Sequence, residues 1–414
     1  MAVIRPFRAV RPVPELAAKV AALPYDVMSS EEAREMVKDN PYSFLHVDKA
    51  EIDLSPDIDL YDQRVYEKAC SNLEAMIAGG ILREEDRPCL YIYRQIMGGR
   101  SQTGIVACAS IDDYLRGIIK KHELTRADKE QDRTRHVDIC DANTGPIFLT
   151  YPAREEINSI VAQQSAREPV YDILTEDGIR HIVWIIDQEE VIHRLVDLFA
   201  GIQYLYIADG HHRSASAVRV GEMRRRAQGE FTGDEEFNFF LAVIFPDQDL
   251  YIMDYNRVVQ DLHGMSESEF LSKVAHKFEI RLHEGEGPYR PQKKHEFGMY
   301  LSGKWYILEA RDGSFDESDP VERLDVSIMQ NNILGPLLGI SDPRTDKRID
   351  FVGGIRGLKE LERRVDAGMA VAFSMYPTTI QDLMDIADAG QVMPPKSTWF
   401  EPKLRSGLFI HKLS

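Results

Sequence analysis

Residues 89–111 read CLYIYRQIMGGRSQTGIVACASI, two runs of apolar, β-branched and aromatic residues around a Gly-Gly turn. That pattern is a β-hairpin. It constrains the fold strongly, because a tight turn joins antiparallel neighbours whereas parallel strands need a long crossover. A second pair of runs, HEFGMYLSGKWYILEA (295–310), repeats the arrangement. The other strand-like runs are GPIFLTY (145–151), YDILTED with IRHIVWIID (171–187), IQYLYIADG (202–210), FNFFLAVIFP (237–246), LYIMDYNRVV (250–259) and VAFS (371–374). Helical patterns fall between them at irregular intervals. The chain lacks the strict strand–helix alternation of a doubly wound sheet, so the expected class is α+β, with mixed sheets, hairpins and inserted helices.

The helix signals are local. Ser29 or Ser30, with Glu32 behind it, opens a helix that Asn40-Pro41 stops. Residues 58–77 carry helical spacing (Leu60, Val65, Ala69, Leu73, Met76, Ile77) and end at Gly79-Gly80. QEEVIHRLVDLFA (188–200) is amphipathic, Ser266 begins a capping box, and Thr378 or Thr379 is an N-cap. LDVSIMQNNILGPLLG and LKELERRVDAG read as helices closed by glycine. At roughly 100–200 residues per domain, 414 residues suggest two or three domains. Composition and pattern shifts divide the chain into an N-terminal segment (1–87), a core (88–229) and a C-terminal α+β region (230–414).

Charge narrows the function classes. Lys+Arg is 50 against 68 for Asp+Glu, a formal net charge of -18. Neutralising phosphates along a nucleic acid needs a basic surface, so the charge argues against nucleic acid as the main partner. Four scattered cysteines without a CxxC pair read as reduced thiols. No run approaches the ~20 apolar residues of a membrane span. The start MAVIRPFRAVRP has no apolar signal core. The expectation is a soluble, cytoplasmic protein with no membrane partner.

Several motifs fail on inspection. A G-x4-G-K pattern at Gly298–Lys304 is followed by Trp305, where a phosphate loop needs Ser or Thr, and it falls in a hairpin. Gly353-Gly354-Ile355-Arg356-Gly357 is a glycine-rich turn. Zinc, GxSxG, GxGxxG and kinase signatures are missing.

The strongest signal is Ala208-Asp209-Gly210-His211-His212-Arg213. An apolar strand ends at Asp209, glycine permits a tight turn, and a helix follows whose first N–H groups and positive dipole end are free. Three basic residues in that first turn oppose the dipole unless an anion compensates, and phosphate is the usual tenant. Asp209 beside a phosphate suits Mg²⁺ or a substrate proton. The competing reading is a capped helix with surface histidines. A second signal is Lys121-His122-Glu123-Leu124-Thr125-Arg126, a basic cluster in which Glu123 stays ionised and available as a base. From Lys129 onward a solvated helix face is the simpler reading. Pro24-Tyr25-Asp26-Val27 and Asn40-Pro41-Tyr42 are turns with aromatic anchors suited to line a cleft. In the tail, Lys396, Ser397 and Thr398 could reach a phosphate, although a docked terminal segment explains them as well.

PYDV (24–27), NPYSFLHV (40–47), KHELTR (121–126), ADGHHR (208–213) and MPPKSTWFEPKLRSGLFIH (393–411) together resemble the proteins grouped as domain of unknown function 1015 (DUF1015). ADGHHR is also similar to the phosphate-binding box of the ParB/sulfiredoxin superfamily, which includes archaeal free-serine kinases with a similar DGHHR. The resemblance implies a ParB/sulfiredoxin-like central core with an additional C-terminal α+β region. It implies a nucleotide-dependent phosphotransferase on a small hydroxyl compound, with free L-serine as leading acceptor. Glu123 and Asp209 would then be catalytic. Gly210, His211, His212, Arg213, Lys121, Thr125 and Arg126 would bind ATP or ADP, with Mg²⁺ on Asp209. The box departs from ParB, which has Gly-Glu-Arg-Arg there, and from sulfiredoxin, whose catalytic cysteine is His211 here. The alternatives are a nucleotide-hydrolysing switch, a nucleic-acid-associated protein and a non-enzymatic scaffold.

Overall fold

The computed structural model describes residues 1–414. The chain forms two compact units, one of Met1–Leu250 with Pro402–Ser414 and the other of Tyr251–Glu401.

The first unit is built on a nine-stranded mixed sheet. Its strands are β1 (Ile4–Arg5), β2 (Leu90–Met97), β3 (Arg100–Ser110), β4 (Ile119–Lys120), β5 (Ile147–Tyr151), β6 (Tyr171–Leu174), β7 (Arg180–Ile186), β8 (Leu205–Asp209) and β9 (Phe239–Pro246). Their order is β4-β8-β5-β9-β3-β2-β7-β6, with β1 also on β3. The expected hairpin is β2–β3, antiparallel from Tyr91↔Val106 to Met97↔Arg100. Two pairs are parallel, β9 with β5 and β8 with β4. Period-two alternation places Leu90, Ile92, Ile105, Ala107, Ala109, Ile182, Trp184, Ile186, Phe240, Ala242 and Ile244 in one apolar cluster. The alternate residues Tyr91, Tyr93, Val106, Cys108, Leu241 and Val243 are also buried. Both faces are therefore covered, and this explains why β9 reads as an unbroken apolar run.

Three helices matter for the site: α1 (Gln63–Ala78), α2 (Ala127–Cys140) and α3 (His211–Gln228). α1 packs on α2, and α2 packs on α3. Val65, Ala69, Leu73 and Met76 of α1 form a second apolar cluster with Phe44, Cys140 and Ile410. Ser29 and Glu32 make a reciprocal capping box for Ser30–Val37. The terminal segment is docked: His411 and Lys412 pair with Asn143 and Ala142, and Ile410 and Ser406 bridge to Val10 and Ala22.

The second unit carries a six-stranded, wholly antiparallel sheet of β10 (Tyr255–Val259), β11 (Phe278–Leu282), β12 (Glu296–Leu301), β13 (Lys304–Ala310), β14 (Ile349–Gly353) and β15 (Val371–Ser374). The order is β11-β13-β12-β15-β10-β14. Helices α4 (Glu267–Val274) and α6 (Ile380–Asp388) begin with capping boxes at Ser266 and Thr379. α5 (Lys359–Asp366) lays Leu361 against Val258, Trp305 and Ala372. The G-x4-G-K stretch is the β12–β13 hairpin, with positive φ at both Ser302 and Gly303, the geometry of a two-residue hairpin turn.

Two local expectations change. The run 237–246 is a central strand of the first sheet, whereas 250–259 supplies only Tyr255–Val259, to the second. The helix at 324–339 is an α-turn, Asp325–Met329, continued by a π-turn, Gln330–Leu334. The four cysteines are free thiols, three of them buried. No helix is long and apolar enough to cross a membrane.

Candidate functional site

β8 runs between β4 and β5, slips register at Ala208, and ends at Asp209. Gly210 takes φ 94° and ψ 32° and caps α3. That left-handed conformation suits glycine. A second constraint is spatial, since a Cβ at Gly210 would lie 3.3 Å from Nε and Nη2 of Arg213. The guanidinium therefore folds back over the turn that opens its own helix. Its Nη1 donates to the Pro146 carbonyl at 2.5 Å, and its Nε is buried without a hydrogen-bond partner. The first amides of a helix have no intrahelical acceptor, so N–H donors are left over at this end of α3.

Asp209 faces Lys403. Lys403 Nζ donates to Oδ2 at 3.0 Å, and the Gly210 N–H donates to Oδ1 at 2.8 Å. Burial alone would raise this carboxyl, but the Lys403 and Arg213 charges hold it well below the usual carboxylate range. Each oxygen thus has a partner, and a cation on Asp209 competes with Lys403.

The histidines behave differently from a basic cluster. His211 is 4 % exposed and His122 is 1 % exposed, and their rings meet edge to face at 4.5 Å. Burial pushes His122 down to about 4. Burial, with His122 beside it, pushes His211 well below its ordinary value. His212 is lowered by burial too, and its Nε2 accepts the Arg126 N–H at 3.0 Å. All three are neutral imidazoles near pH 7. The charge opposing the helix dipole reduces to Arg213, and sequence alone overcounts it because burial is not visible there.

Glu123 approaches His211, with Oε2 3.6 Å from Nδ1, and its side chain is 49 % exposed. Both ring nitrogens of His122 are buried without a hydrogen-bond partner. Arg126 is turned outward to Asp128 at 2.7 Å. Thr125 Oγ1 donates to Glu130 at 2.9 Å, and Lys121 sits 4.4 Å over the Tyr114 ring. Lys121 and Thr125 line an open cleft of about 580 Å³ against α3, with Arg219 and Arg226 across it. Arg213 instead lines a cavity of about 30 Å³ with Tyr25, Arg133 and Thr144. The structure therefore joins Asp209, Gly210, His211, Arg213 and Glu123 around the start of α3, and sets Lys121, Thr125 and Arg126 to its outer side.

Sequence reasoning omits three participants. Lys403 lies 194 residues from Asp209, further along the tail than the candidates Lys396 and Ser397. Those two bond within the second unit: the Lys396 carbonyl accepts from Arg257 and Ser397 Oγ donates to Pro394. Arg133, on α2, pairs with Asp132 at 2.8 Å and stacks 4.2 Å over Tyr25. His122 stands inside KHELTR, next to the glutamate that draws attention.

No curated protein matches this sequence. Among solved structures the chain is similar to a free serine kinase in complex with AMP, at 13% identity and TM-score 0.36 over 74% of this chain and 91% of that one. A mutant free serine kinase in complex with ADP gives 14% and 0.36 over 74% and 92%. C-terminally truncated SbnI from Staphylococcus aureus gives 12% and 0.38 over 74% and 86%. The family described as protein of unknown function (DUF1015) matches residues 4–327, and the chain belongs to it.

Proposed function

We propose that the protein is a nucleotide-dependent phosphotransferase acting on a small hydroxyl compound. The observation that carries this reading is Arg213, folded over Gly210 at the first turn of α3 with a buried Nε lacking a partner. A buried donor without an acceptor is costly, and an anion at the helix start satisfies it. In this reading Arg213 and the amides after Gly210 hold nucleotide phosphates, as Lys121 and Thr125 would if the nucleotide extends into the cleft beside them. His211 and His212 act as neutral hydrogen-bonding walls. Glu123, half-exposed and next to the helix start, takes the proton of the acceptor hydroxyl as the terminal phosphoryl group passes to that oxygen. The nucleotide leaves one phosphate shorter. Such transfer asks for positioning and charge stabilisation more than covalent chemistry. Asp209 is the residue that would hold Mg²⁺, in competition with Lys403, and the ion would supply charge neutralisation on the phosphates. Free L-serine is the first acceptor to test, on the sequence resemblance.

The test is product analysis with nucleotide, Mg²⁺ and an acceptor panel on wild type and Glu123→Gln. The reading expects a phosphorylated acceptor from wild type, with turnover lost and nucleotide affinity retained in the variant. Free phosphate with no phosphorylated acceptor replaces it with a nucleotide switch. A variant of near-normal rate removes Glu123 as the base.

A further inference from the structure

His122, Glu123 and His211 converge from two elements: the loop after β4 and the first residue of α3. One ligand atom from each lies within 4.8 Å of the others. His122 is the telling member. Its ring is almost wholly buried, and neither nitrogen has a hydrogen-bond partner. A buried imidazole normally satisfies at least one nitrogen, because leaving it bare costs about 1–3 kcal/mol. The His211 ring, the Ile207 backbone and the Asp209 carboxylate surround it, and the carboxylate of the trio, Glu123, is half-exposed.

We propose that His122, Glu123 and His211 bind a divalent first-row transition-metal ion. Two imidazoles and one carboxylate are the donor set of open zinc and non-haem iron sites, and they leave a coordination position for water or a substrate oxygen. Mg²⁺ does not fit, since it prefers oxygen ligands throughout. In a tetrahedral site the ligand atoms stand about 3.3 Å apart, so the trio closes by up to about 1.5 Å. The Glu123 side chain, about half exposed, is the member that moves most. Ligation by His211 Nδ1 moves the ring proton to Nε2. The contact that gives way is the His122 N–H to His211 Nε2 approach, which at 3.5 Å is already at the limit of a hydrogen bond.

The proposal shares Glu123 and His211 with the phosphotransfer reading but does not require it. A carboxylate has two oxygens, so ligation through one leaves the other able to accept a proton.

The experiment uses the full chain, stripped with a chelator and titrated with Zn²⁺ or Co²⁺ without nucleotide. The expected result is one equivalent bound, with a Co²⁺ visible spectrum of an N/O-ligated site. Glu123→Ala, at an exposed position, should weaken Zn²⁺ binding at least 10-fold and alter that spectrum, and His122→Ala should do the same. Circular dichroism of each metal-free variant shows whether it is folded, and Glu123→Ala alone decides the matter if His122→Ala is not. Absence of stoichiometric binding by wild type overturns the proposal. So does unchanged affinity in a folded Glu123→Ala. Arg213→Ala should keep the metal while losing nucleotide, which separates the two readings.

Discussion

His181 is fully buried on β7 among Tyr93, Thr175, Asp177 and Arg405. The Arg405 Nε–H donates to its Nε2 at 3.2 Å, which assigns the proton to Nδ1, 2.7 Å from the Tyr93 hydroxyl. Burial and the Arg405 charge push the imidazole down to about 3. The unfolded chain protonates the same group near 6.5. Its contribution to stability is therefore complete above pH about 6.5 and is lost as pH falls towards 3, at up to about 1.4 kcal/mol per pH unit. Urea unfolding between pH 7.5 and 4.5 should show a smaller slope in His181→Gln than in wild type, and parallel curves would contradict the assignment. Gly210 is a second residue-scale test. Gly210→Ala places a Cβ in left-handed backbone and against Arg213, costing about 1–2 kcal/mol. A melting temperature unchanged from wild type would mean that the turn is not as constrained as its φ implies. At this scale the strand end at Asp209, the turn at Gly210 and the start of α3 were legible, since they are adjacent in sequence. The neutral state of His211 and His212 was not, because it comes from burial by residues far along the chain.

Elements read best where their signal is local. The capping boxes at Ser29, Ser266 and Thr379 and the hairpins β2–β3 and β12–β13 each depend on residues a few positions apart. Thr379→Ala should cost roughly 1 kcal/mol, readable as a lower denaturant midpoint, and no change would mean the cap is replaced by water. The parallel pairing of β9 with β5 has no local signal: an apolar run buried on both faces gives no partner or direction. Packing of α3 is similarly hidden. Gly221 lets the helix approach its neighbours so closely that a Cβ would lie 2.5 Å from the Phe237 carbonyl oxygen and 2.6 Å from Ile111 Cδ1. Alanine is the better helix former by up to about 1 kcal/mol. Gly221→Ala should nevertheless destabilise by about 1–3 kcal/mol, because overpacking outweighs propensity. A stabilised variant would show that the contact relaxes.

For the whole molecule, the terminal segment is an integral part of the first unit. Leu408, Phe409 and Ile410 are fully buried, and Lys403 and Arg405 contact Asp209 and Asp177. Ending the chain at Glu401 should raise hydrogen exchange in Ala142–Asn143 and β8 while the amides of β10 keep their protection. Equal exchange in truncated and full-length chains would refute that role. The central claim is that the turn at Gly210 and Arg213 holds nucleotide phosphates, and a thermal-shift panel of ATP, ADP, CTP and GTP with Mg²⁺ tests it most directly. A nucleotide at ~100 times its dissociation constant adds roughly 2.7 kcal/mol. The account predicts stabilisation of wild type by at least one nucleotide and its loss in Arg213→Ala. Absence of a shift with all four, or an equal shift in the variant, would contradict it.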